Sequence, residues 1–153
     1  MRTLRARISI ESRPADVFRV LTDFGVYHQW NPWLRDIAGQ AKEGTLVRVR
    51  PNIISLFGFR LTYRLEKIQP KDFLRWQEEG WFCFLFNTTR EYQVYTRTSG
   101  TAIYTVRLNF HGPLAEVVGF FYGKTVRRGL LQEAVALKNH CEAHYPFVAT
   151  KDA

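Results

Sequence analysis

PLAEVVGFFYGKTVRRGLLQEAVALKNHCEAH, residues 113–144, carries the strongest periodic pattern in the chain. Its apolar residues Val118, Tyr122, Val126, Leu130, Ala134, Leu137 and Cys141 recur at steps of three or four. That spacing puts them on one stripe of an α-helix. Lys124, Arg127, Arg128, Glu133 and Lys138 fall mostly off the stripe. A helix of about 30 residues is about 45 Å long at its usual rise, too long for one short neighbour to cover. Gly112-Pro113 opens it, with proline in the first turn. Gly119 and Gly123 let the helix approach a neighbour closely, or kink it near a cavity mouth.

Almost everything before this helix reads as strand. Leu4, Ala6, Ile8 and Ile10 alternate with charged or polar residues, the period of a half-buried strand. Ser12 and Pro14 then signal a short helix to Thr22, with Ser12 as its N-cap. Asp23 to Asn31 reads as a second short helix or turn, which Asp23 caps and Asn31-Pro32 ends. Strands are expected over Leu34–Ala41, Thr45–Arg50, Phe59–Ile68, Phe73–Gln77, Trp81–Thr96 and Gly100–Gly112, the fifth bulging near Asn87 to Thr89. Pro51 to Leu56 reads as a loop or a flap, and Pro70-Lys71-Asp72 as a turn. Short connections imply an antiparallel meander, and one apolar face per strand implies a sheet covered on one side. The expected fold is α+β: a curved antiparallel sheet of about six to seven strands gripping the C-terminal helix, with two short helices after the first strand. One domain over residues 1–149 and a frayed tail, Thr150 to Ala153, follow from the absence of any linker or repeat.

Composition narrows the function classes. Hydrophobic residues make up 46% of the 153, as in a globular protein. Aromatics make up 15%, which fits either an aromatic-lined cavity or a tightly packed aromatic core. The net charge of +8 favours anionic partners, nucleic acid or phospholipid. Yet Arg48, Arg50, Arg60, Arg64, Arg75, Arg90, Arg97 and Arg107 sit singly in strands, and only Lys124, Arg127 and Arg128 cluster. This reads as a solvated basic surface rather than a nucleic-acid site. Cys83 and Cys141 lie in apolar patterns as small buried residues, and no leader or membrane span is legible. A reduced, cytoplasmic protein is expected, with peripheral membrane contact open and the oligomeric state unspecified.

The segments Pro14-Ala15-Asp16-Val17-Phe18, Leu21-Thr22-Asp23-Phe24, Tyr27 and Trp30-Asn31-Pro32 resemble the START-like, or Bet v 1-like (SRPBCC), superfamily. Within it they are most similar to the polyketide cyclase/dehydrase-like branch. Gly44, Leu74-Arg75-Trp76, Gly100-Thr101 and Phe110-His111-Gly112-Pro113-Leu114 extend the resemblance over nearly the whole chain. It implies a helix-grip fold with a hydrophobic cavity between sheet and helix, and members that bind lipids, sterols, quinones or polyketides or catalyse cyclisation or dehydration. Many relatives carry histidine where this chain has Arg90. If the register holds, Arg90 points into the cavity and favours an anionic group on the ligand; otherwise it pairs with an internal carboxylate or reaches solvent.

Little catalytic apparatus is visible. His140 and His144, four apart, have the spacing to share a metal, but no third ligand is evident; they read as solvated residues at a helix end, and no metal is expected. No Gly-x-Ser-x-Gly, P-loop or dinucleotide fingerprint appears, and no cofactor is expected. Tyr63, Tyr92, Tyr104, Tyr122, His111 and Glu78 are possible acid or base groups, and none is singled out as catalytic. Trp30 and Trp33 flank the Asn31-Pro32 turn, one at the cavity entrance and the other over the sheet edge. The first expectation is a binder of a hydrophobic small molecule or lipid. Its walls are Trp30, Tyr63, Trp76, Phe84, Phe86, Arg90, Tyr92, Tyr104, Phe110, Tyr122 and Val126. A polyketide cyclase/dehydratase or aromatase is the second. A basic module touching RNA, a ribosomal surface or an anionic membrane is the third.

Overall fold

The computed structural model describes residues 2–51, 60–69 and 72–149. The chain runs through β1 (Arg2–Ile10), α1 (Pro14–Thr22), a 3-10 turn (Phe24–Val26), α2 (Tyr27–Trp30), β2 (Asp36–Ala38), β3 (Leu46–Arg50), β4 (Leu61–Gln69), β5 (Phe73–Glu79), β6 (Asn87–Thr96), β7 (Ala102–His111) and α3 (Ala115–His144). The seven strands form one antiparallel sheet in the order β1-β7-β6-β5-β4-β3-β2. This is a helix-grip fold. A meander from β2 to β7 places β1, the first strand in sequence, beside the last.

Strand alternation survives in three dimensions. Ala6 and Ile10 are buried on β1, with Leu4 and Ile8 half-buried, while Thr3, Arg5, Arg7 and Ser9 face solvent. On β6 the inward set is Thr88, Arg90, Tyr92 and Val94; on β7 it is Ala102, Tyr104, Val106, Leu108 and Phe110. A register shift between Leu65 and Lys67 on β4 gives the sheet a place to bend.

Helix α3 is fastened differently at its two ends. Its C-terminal half is tied to β1: Lys138 Nζ donates to the Ser9 carbonyl at 3.0 Å, and Glu142 Oε1 accepts from the Glu11 N–H at 2.9 Å. Leu130, Ala134, Leu137 and Cys141 are buried there. The N-terminal half is held by the turn before it. Gly112 has φ +96°, and a Cβ on it would lie 2.4 Å from the Leu85 carbonyl oxygen, so only glycine fits.

Below the C-terminal half the core is solid with rings. Trp30, Tyr27, Phe24, Trp76, Tyr92 and Tyr104 follow one another at centroid distances of 4.9, 5.5, 5.5, 5.4 and 6.2 Å. Most of the aromatic excess is packing.

Several local expectations need correction. Ser12 does not cap α1; the N-cap is Arg13, without a side-chain hydrogen bond, and Ser12 is itself buried. Asp23 stands at the N-cap of the 3-10 turn but its side chain makes no cap bond. The strand expected from Trp81 begins only at Asn87, because Trp81 to Leu85 are turns. The strand expected over Leu34–Ala41 shortens to Asp36–Ala38. Pro113 precedes α3 rather than lying in its first turn. The loop or flap expected after Pro51, Phe59 where the third of those strands was expected to begin, Pro70-Lys71 and the Thr150–Ala153 tail lie outside the described residues.

Candidate functional site

Between the N-terminal half of α3 and the sheet the packing opens into a cavity of about 340 Å³. Val118, Tyr122 and Val126 come from α3, Leu108 and Phe110 from β7, Thr88 and Arg90 from β6, and Leu61 and Tyr63 from β4. Trp33, Leu34, Val49, Pro51 and Phe86 complete the wall. Each strand contributes alternate residues, so the pleat itself aims them inward. The segment after α2 is positioned by Asn31, whose buried side-chain oxygen accepts from the N–H groups of Trp33 and Leu34 at 2.9 and 2.8 Å. That short loop thereby presents both side chains to the cavity.

The wall is mostly apolar, with polar groups at Tyr63, Thr88 and Arg90. The Tyr63 hydroxyl is 3.0 Å from Thr88 Oγ1, which donates to Glu78 Oε2 at 2.7 Å; the Thr88 N–H donates to the same oxygen at 2.9 Å. Burial pushes the Glu78 carboxyl above its usual range, and the two bonds from Thr88 hold it back in part. Burial, then the Glu78 charge, raises the Tyr63 hydroxyl far enough to stay protonated at any physiological pH.

Arg90 resolves the alternatives left open by the sequence. It both lines the cavity and pairs with an internal carboxylate, Glu133 of α3. The arginine is 3% exposed and Glu133 fully buried. Arg90 also donates to the Tyr92 hydroxyl, and the Tyr104 hydroxyl donates to Glu133 at 3.4 Å. The guanidinium lies 4.8 Å from the Trp33 ring centroid and 5.1 Å from that of Tyr92. Burial works against its charge, but Glu133 and the surrounding tyrosine oxygens outweigh this and hold it cationic. Burial and then Glu133 push the hydroxyls of Tyr27 and Tyr104 well above the ordinary range, and burial likewise raises Tyr92.

Of the residues expected at the site, Tyr63, Phe86, Arg90, Phe110, Tyr122 and Val126 meet in this cavity. Trp30, Trp76, Tyr92 and Tyr104 are packed in the ring core below it and do not line it. Phe84 is 69% exposed, because its segment is a turn and not the strand whose alternation would have pointed it inward. Glu133 was the residue missed. It was grouped with the residues off the stripe, yet it lies three residues after Leu130 and seven after Val126, which is the stripe's own spacing. Trp33, Leu34, Val49, Leu61, Thr88, Leu108 and Val118 also join the wall. His140 and His144 stack at 4.3 Å at the far end of α3, and among the described residues no group of three or more metal-ligating side chains includes them.

No curated protein matches the chain in sequence. Solved structures match in shape. Protein MLL2253 from Mesorhizobium loti superposes with a TM-score of 0.74 at 15% identity, covering 94% of this chain and 98% of that one. Truncated norcoclaurine synthase from Thalictrum flavum gives 0.68 at 12%, covering 94% of each. Ara h 8.0201 gives 0.65 at 14%, covering 94% of this chain and 99% of that one. At these identities the likeness is one of fold, the Bet v 1-like fold that the resemblance implied. The family model described as polyketide cyclase/dehydrase and lipid transport matches residues 1–142. With nearly the whole chain matched, this protein belongs to the polyketide cyclase/dehydrase and lipid transport family.

Proposed function

We propose that the protein binds a hydrophobic small molecule or lipid in the cavity under the N-terminal half of α3. The observation that carries this reading is a cavity of about 340 Å³ whose apolar wall is interrupted by Tyr63, Thr88 and Arg90. That volume suits a single small ligand. The polar groups select a ligand with one oxygen-bearing end. Trp33, also in the wall, keeps a buried indole N–H with no hydrogen-bond partner among the described residues. Arg90 is already paired with Glu133, so a neutral acceptor or one partial charge fits better than a second full carboxylate. A cytoplasmic location belongs to this proposal, and both cysteines are free thiols, as a reducing compartment keeps them.

Native mass spectrometry of freshly purified protein, followed by organic extraction, tests the reading. A discrete apolar adduct, lost in Val126→Trp with the melting temperature preserved, is the expected result. An adduct-free mass, together with no melting shift across a panel of lipids, quinones and polyketides, would overturn it.

A second reading rests on the chain Tyr63–Thr88–Glu78. In a cyclase or dehydratase, the Tyr63 hydroxyl would turn its proton from Thr88 Oγ1 to an enolate oxygen, with Glu78 holding the Thr88 hydroxyl in place. Turnover of a bound polyketone that Tyr63→Phe abolishes without weakening binding would select this reading over passive binding.

A further inference from the structure

The end of the molecule beside the cavity carries exposed aromatic side chains on two neighbouring segments. In the turn before β6, Trp81 is 77% exposed and Phe84 69%; on the first turns of α3, Phe120 is 76% and Phe121 70%. The two segments are joined, since the Leu114 N–H donates to the Leu85 carbonyl at 3.1 Å. Each also sends one ring to the cavity, Phe86 from the turn and Tyr122 from the helix. Four aromatic side chains this exposed present on the order of 400 Å² of apolar area, the size of a monomer's largest patch, which is often functional.

On this part of α3 cations outnumber acids. Residues 80–86 contain no charged side chain, and residues 113–132 contain a single acid, Glu116, against Lys124, Arg127 and Arg128. Those three cations are exposed on α3 one to two turns beyond the aromatic pair. Along the outer face of the helix, Val117, Phe121, Lys124, Arg128, Leu131 and Val135 follow at three- to four-residue steps, all exposed. Apolar residues thus bracket a cationic centre.

We propose that this end of the protein docks on an anionic phospholipid bilayer. The aromatic rings enter to the depth of the headgroups, Lys124, Arg127 and Arg128 meet lipid phosphates, and Tyr122, half exposed and part of the cavity wall, lies at the membrane side. A second copy of the chain fits the surface poorly. The cations lie at the centre of the stripe, so an antiparallel pairing of outer faces sets Lys124 against Arg128 of the other copy, like charge on like. Among the described residues no helix is long and apolar enough to cross a membrane, so the contact is peripheral.

The chain supplies its own reporter. Trp30, Trp33 and Trp76 are at most 7% exposed, and Trp81 is the remaining tryptophan. With vesicles of phosphatidylcholine and phosphatidylglycerol containing brominated acyl chains, the fluorescence of Trp81 is expected to be quenched, and Trp81→Phe to lose that quenching. Co-sedimentation with the same vesicles is expected to weaken about five-fold for each of Lys124→Gln, Arg127→Gln and Arg128→Gln, and to weaken with added salt. Phe120→Ser combined with Phe121→Ser is expected to lower it ten-fold or more, on the order of the loss of two buried rings. These positions are exposed, so folding is not at stake. The proposal does not depend on a cavity ligand: Val126→Trp should still sediment. Absence of binding to anionic vesicles, binding indifferent to all these substitutions, or a dimer dissociated by them would each overturn it.

Discussion

Arg90 on β6, a residue of the cavity wall, and Glu133 on α3 form a buried ion pair that joins sheet to helix. The pair is not isolated, since Tyr92 accepts from the arginine and Tyr104 donates to the carboxylate. Removing one partner strands the other in a low-dielectric interior. Glu133→Leu and Arg90→Met are each expected to destabilise by about 3–5 kcal/mol, while the double replacement Arg90→Met with Glu133→Leu costs far less or stabilises. Urea unfolding of the four proteins measures the cycle, and additive costs would show that the two groups act separately.

Glu78 links stability to pH. Its carboxyl is raised above the ordinary value of 4.5 by burial, so the folded protein holds that proton more tightly than the unfolded chain. The resulting contribution is present in full below the unfolded pKa and is lost as pH rises through the folded one. Relative to Glu78→Gln, the wild type should therefore lose stability as pH rises above 4.5 and through the folded-state pKa. Thermal unfolding of both proteins across that window is the check; parallel curves would mean that Glu78 titrates as an ordinary carboxylate.

Phe84 and Phe86 are two residues apart and differ in environment. Phe86 packs on Phe110 with centroids 5.4 Å apart and lines the cavity; Phe84 is exposed. Phe84→Ser is expected to leave stability within about 0.5 kcal/mol of wild type, the range of surface substitutions, and to leave cavity binding unchanged. Phe86→Ser should reduce binding of any extracted ligand in the same titration.

Gly112 cannot be replaced cheaply. Its positive φ and the Leu85 carbonyl 2.4 Å from a would-be Cβ both oppose a side chain. Gly112→Ala is expected to cost more than about 1 kcal/mol. Hydrogen exchange should localise the loosening to the Leu85 and Leu114 amides, where that turn meets the helix start.

Trp76 and Val126 separate packing from binding. Trp76 is fully buried against Phe24, Tyr63 and Tyr92, so Trp76→Ala should cost about 3–5 kcal/mol. Val126→Trp fills space instead of creating it, and is expected to keep the fold while excluding the ligand. Melting curves and ligand titrations on the two variants distinguish the roles.

What the sequence by itself determined was the periodic part of the molecule. Strand alternation and the stripe from Val118 to Cys141 report which side of an element meets the core, because pleat and helix turn have fixed periods. They were enough for the seven-stranded sheet, the long helix and the inward side of β6 and β7. Three things were decided only in the tertiary structure. Glu133 could enter the inner stripe only because Arg90, 43 residues away, arrives opposite it. The run from Trp81 to Phe86 has strand-like composition, but the Leu85 carbonyl is engaged by the start of α3, and its chain turns instead. Whether aromatic residues fill space or enclose it was equally illegible. Trp76 and Tyr92 pack against other rings while Phe110 and Tyr63 wall a cavity, and the difference lies in which elements the fold brings over each of them. A period specifies a face; a distance between faces is a property of the whole packed chain.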